Sequence, residues 1–144
     1  MGRARRGDPW LPTVGLGYAR VVPFDNQTMG WLRASVGAAL LVAPRAPMRL
    51  SGNEEPTGAS VLLMRTIGIR DLVLGLGTVA ASASGRAGDV GRWNSAALAS
   101  DALDTAVSLA SSRSIGKRDA AAAAILAFTF VCGDLRARRT PAAR

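Results

Sequence analysis

Residues 120–132 form a continuous apolar stretch broken only by Thr129. Wound as a helix, this stretch offers apolar groups at every angle and no face suited to water. Such a helix is either wholly enclosed by protein or bathed in lipid. A chain of 144 residues has room for one domain and hardly for two, and a soluble bundle of that size has difficulty enclosing one helix completely. Lipid is therefore the expected solvent. Against this stands the absence of any segment of about eighteen uncharged residues, since shorter apolar runs of about 10–14 more often belong to soluble cores.

Three further helices are expected upstream. The first opens near Thr28 as N-cap, runs from Met29 to Ala43 and is stopped by Pro44 and Pro47. Trp31 and Arg33 sit at one end of its uncharged part, where a ring and a snorkelling guanidinium suit headgroup depth. A polar connection covers Arg45 to Pro56. The second helix runs from about Ser60 to Ser84 and contains Arg65, Arg70 and Asp71. A loop with Arg86, Asp89 and Arg92 leads to the third, Trp93 to Ser112. After Arg113, Lys117 and Arg118, the fourth starts at Asp119, well placed against the helix dipole. It ends after Gly133 in Asp134, Arg136, Arg138 and Arg139. The expected fold is all-α: a four-helix transmembrane bundle (28–136) between a basic, Pro/Gly-rich N-terminal arm (1–27), disordered or interfacial, and a basic C-terminal tail (137–144). Trp10, Tyr18 and Phe24 are the arm's candidate interface anchors.

The third helix carries the feature that decides how such a bundle is built. At 100° per residue, Asn94, Asp101, Asp104, Thr105, Ser108, Ser111 and Ser112 gather on one side. In lipid this stripe must face inward. Each central Asp costs about 2.5–3.5 kcal/mol to insert, while each Leu or Val offsets only about 0.3–0.6 kcal/mol, so the helix needs a partner. Arg70 supplies one, because a guanidinium can fork onto a carboxylate with two hydrogen bonds. The expected intramembrane polar network is Arg70, Asp71, Asp101 and Asp104. One arginine against three carboxylates leaves negative charge to be balanced by a proton, Arg65, a cation or a basic ligand group. Gly68, Gly75 and Ser82, at heptad spacing, form a smooth helix-packing face where another backbone can approach.

These residues also carry a resemblance. Leu41 to Arg45, then Arg65, Gly68-Ile69-Arg70-Asp71, Gly75 and Gly77, then the paired aspartates, resemble a family of small uncharacterised four-helix bacterial integral membrane proteins over roughly residues 29–135. The resemblance implies a compact membrane bundle and no particular activity.

Charge and composition narrow the function. The formal charge is +8, and every basic residue but Lys117 is Arg. With four spans and both termini in the cytoplasm, the inside holds Arg3, Arg5, Arg6, Arg20, Arg86, Arg92, Arg136, Arg138, Arg139 and Arg144. The outside holds Arg45, Arg49, Arg65, Arg113, Lys117 and Arg118. Ten against six gives N- and C-termini inside by the positive-inside rule, in the inner (plasma) membrane. The apolar half of the chain is mostly Ala, Val, Leu and Gly, and aromatics are only 5%; small residues suit closely packed helices.

With no histidine, His-based triads, Cys-His dyads and His zinc sites are excluded. Cys132 cannot form an intrachain disulfide and reads as a packing residue. No secretory signal is visible, because Asp8, Pro9 and Pro12 stand where an apolar core should begin. Gly75-x-Gly77-x-x-Ala80 lacks the βαβ context of a dinucleotide site, and Gly116-Lys117 lacks the first glycine of a P-loop. Asp101 and Asp104 lack the further oxygen ligands of a hard-metal site. No enzyme, metal or cofactor is expected. The leading expectation is an accessory or structural membrane protein acting through helix–helix contacts, with the bilayer and a membrane-protein partner or second copy as partners. The alternatives are a small carrier, or ligand- or proton-binding protein, using the Arg-Asp network, and a soluble, basic, helical nucleic-acid-binding protein.

Overall fold

The computed structural model describes residues 25–50 and 55–139. The arm's first 24 residues, with Trp10, Tyr18 and Phe24, lie outside the described residues, as do residues 51–54 and 140–144 of the connection and tail. Among the described residues every regular element is helical: α1 (Asn26–Val42), α2 (Arg45–Leu50), α3 (Gly58–Ala83), α4 (Ala87–Ala110), α5 (Ser112–Ile115) and α6 (Lys117–Arg139).

Several boundaries differ from the sequence expectation, each for a local reason. The N-cap of α1 is Asp25 rather than Thr28: its carboxylate accepts from the Thr28 backbone N–H at 2.8 Å. Pro44 and Pro47 end α1 as expected but do not leave a coil. Pro47 falls in the first turn of α2, where the missing N–H has no helical acceptor to lose. α4 begins at Ala87, so Asp89 and Arg92 lie in its first turns and pair with each other. α6 continues through Gly133 to Arg139 because both Asp134 and Arg138 are held by neighbouring helices. α3 opens on Thr57, whose hydroxyl accepts from Ser60 N–H at 3.2 Å. Gly85 (φ +68°) and Gly116 (φ +88°) lie at the breaks that precede α4 and α6, a backbone region that L side chains rarely adopt.

α1 packs most extensively on α3, α4 on α6, and α3 on α4. The α1–α3 contact is backbone to backbone. A Cβ built on Gly37 would stand 2.6 Å from the Gly68 carbonyl oxygen, one on Gly68 2.7 Å from that of Gly37, and one on Gly75 2.6 Å from that of Gly30. Two glycine pairs seven residues apart on each helix thus let the axes approach closely. Gly77 similarly receives the ring of Trp93 from α4. At one end Asn94 donates to Asn26 Oδ1 at 3.0 Å, and Arg138 donates to Asn94 and to Ser95 Oγ. The start of α1, the start of α4 and the end of α6 therefore share that end.

The buried positions hold mostly small or polar side chains. Alanine supplies six of the ten buried apolar residues among those described, with Met29, Met48, Val61 and Phe130 the larger ones. Seventeen large apolar side chains among the described residues are exposed. Among the described residues one helix, α6, is long and apolar enough to cross a membrane by length and composition, and only a third of its most apolar stretch is buried. α1 has 17 residues, and α3 and α4 carry ionisable side chains within their length.

Candidate functional site: a four-helix charge cluster

Each long helix places one charged side chain at a shared centre. Arg33 comes from α1, Asp71 from α3, Asp101 from α4 and Asp134 from α6, and all four are buried. Arg33, only 2% exposed, is the hub. Its two terminal nitrogens fork onto the two oxygens of Asp101, one at 3.1 Å and the other at closer range. The second nitrogen also donates to Asp134 at 3.0 Å, and the first lies 3.6 Å from Asp71. The guanidinium carbon sits 4.7 Å from the centroid of Phe130, so the ring's negative face also attracts the cation. A planar fork satisfying three carboxylates needs arginine, because a lysine ammonium has no second nitrogen to share.

Asp71 links this hub to a second one. Arg70 donates to Asp71 Oδ1 through Nε at 3.1 Å and through a terminal nitrogen at 2.9 Å, while its other terminal nitrogen pairs with Asp104. Of the four residues expected to form the network, Arg70, Asp71 and Asp104 are thus in direct contact, whereas Asp101 is answered by Arg33. Arg33 was expected at headgroup depth; it is instead buried, because three helices aim carboxylates at it. Asp134 was expected in the charged end of the fourth helix and lies inside α6, buried. The sequence signal for both was a lone charge beside small residues: Arg33 next to Ala34 and Gly37, Asp134 next to Gly133.

Two guanidiniums face four carboxylates in this cluster, leaving two formal negative charges. Among the described residues no group of acidic or sulfur side chains is arranged to hold a metal ion. Gly68 and Gly75 form the contact with α1. Ser82, in line with them, has a buried hydroxyl without a hydrogen-bond partner among the described residues. Cys132, read from the sequence as a packing residue, is exposed on α6. Asn94 belongs to the stripe's buried side, and Thr105 donates to the Asp101 carbonyl at 2.8 Å. No family model, curated protein or solved structure matches the chain.

Proposed function

We propose that this chain is a multi-pass integral membrane protein, a four-helix transmembrane bundle of α1, α3, α4 and α6, with an accessory or structural role exerted through helix contacts. The observation that carries the reading is the inverted partition: four helices meet on charged side chains while seventeen large apolar ones face outward. In water, leaving such side chains exposed forfeits about 1.5–3 kcal/mol each; in hydrocarbon the same arrangement is the favourable one. The threonine hydroxyls agree. Thr66, Thr78, Thr105 and Thr129 each donate to the carbonyl four residues earlier, which satisfies them without solvent.

Both termini then lie on the cytoplasmic side of a bacterial inner membrane. Among the described residues the two ends are nearly even in basic groups, so the orientation leans on Arg3, Arg5, Arg6, Arg20 and Arg144. Alkaline carbonate washing of a membrane fraction is the test. Retention in the pellet, with N- and C-terminal reporters both cytoplasmic, is expected. Release into the supernatant would overturn the reading and favour a soluble, nucleic-acid-binding bundle.

The two surplus negative charges favour a second reading, a proton-binding or carrier role for the same cluster. Proteoliposomes containing a pH dye test it: proton flux that disappears in Asp101→Asn and Asp104→Asn supports it, and absence of flux in the native protein disposes of it.

A further inference from the structure

The Arg33 half of the cluster is sealed, but the Arg70 half is not. The Arg70 side chain is 29% exposed and that of Asp104 39%, against 2% and 3% for Arg33 and Asp101. Arg70 is the thirteenth of the 26 residues of α3, so this opening falls at mid-span. In water a half-exposed ion pair needs no cover. In hydrocarbon, charged groups are expensive, and they face protein or a water-filled cavity.

We propose that the flank of the α3–α4 seam bearing Arg70 and Asp104 is the interface of a two-fold dimer of this chain within the membrane, an inference that rests on the membrane reading above. The occupant is a second copy because the flank carries both signs side by side. Under two-fold rotation each guanidinium is brought toward the other copy's carboxylate, so the patch complements itself. A partner with one sign of charge would meet repulsion from half of it. The surroundings permit the approach. Thr66 and Val73, about one turn on either side of Arg70, are exposed, as is Val107 beside Asp104, with half-buried Ser100 a turn away. The Thr66 hydroxyl is already bonded to its own helix at 3.1 Å, so contact there leaves no donor stranded.

Cysteine cross-linking of the full chain in native membranes tests this. On a Cys132→Ser background, single cysteines replace Thr66, Val73, Ser100 or Val107, with Leu126→Cys on the exposed surface of α6 as reference. Oxidation should yield a disulfide-linked dimer from at least one seam position and little from Leu126→Cys. Adding Asp104→Asn should lower the seam yield several-fold. Retention in carbonate-washed membranes without a seam cross-link, with equal cross-linking at Leu126→Cys, or with a yield indifferent to Asp104→Asn overturns the dimer alone. Release of the chain by carbonate overturns the dimer together with the membrane reading.

Discussion

Arg33 and Arg70 are both arginines in mid-helix, yet their environments set different consequences for losing them. Arg33→Ala leaves the buried Asp101 and Asp134 without their shared cation, and Asp71 answered by Arg70 alone. Breaking a buried pair in this way costs about 3–5 kcal/mol, and here two carboxylates lose their hydrogen-bond donor. Arg70→Ala leaves Asp71 within 3.6 Å of Arg33 and Asp104 half-exposed, so its effect is expected to be smaller. Thermal unfolding in mild detergent should rank native above Arg70→Ala above Arg33→Ala. Arg33→Lys should fall below native as well, since one ammonium cannot reproduce the fork. An Arg33→Ala protein that accumulates and melts like the native one would show that the cluster does not hold the helices. Asp134→Asn is the complementary case. It keeps an oxygen for the Arg33 nitrogen at 3.0 Å while removing one of two surplus charges, and should be tolerated in the same assay.

At the scale of elements, the α1–α3 pair depends on absent side chains. A methyl group on Gly37 would lie 2.6 Å from the Gly68 carbonyl oxygen, and backbone atoms cannot yield as a flexible side chain can. Gly37→Ala must push the helices apart, with a loss of about 1–3 kcal/mol from overpacking. At Gly91, inside α4, a methyl group would meet nothing within 4 Å. Gly91→Ala should therefore gain about 0.8–1.0 kcal/mol in helix propensity. Opposite signs for these two identical substitutions, read by detergent melting, are the expected result; equal effects would mean the close approach is not used. α6 allows a different probe. Cys132, the chain's only cysteine, is exposed on it, one turn before Arg136. In intact membranes it should resist a charged maleimide and react with a lipophilic one, and labelling by both at similar rates would place α6 in water.

For the whole molecule, the proposed membrane location rests on the partition of side chains, and the charge cluster decides uniqueness. Alanine and glycine interfaces pack closely but resemble one another, so several helix registers would bury similar areas. A fork from α1 that must meet carboxylates from α3, α4 and α6 at once is met in one register. That is the device a bundle in lipid needs, where apolar burial gives no preference between protein and hydrocarbon.

The sequence alone was sufficient for the all-helical class and the approximate positions of the four long helices, and it singled out Gly68 and Gly75. These follow from local periodicity and from helix-stopping residues, which act within a turn or two. It also identified Arg70, Asp71, Asp101 and Asp104 as ionisable groups in otherwise apolar segments. It did not identify Arg33 as the hub or Asp134 as its partner. A charge near the end of an apolar run looks the same in sequence whether it reaches outward to headgroups or inward to another helix. Only the packing of α1 between α3 and α6 distinguishes the two, because the pairing joins residues 68 and 101 positions apart, and no local pattern encodes which distant carboxylate a guanidinium will meet.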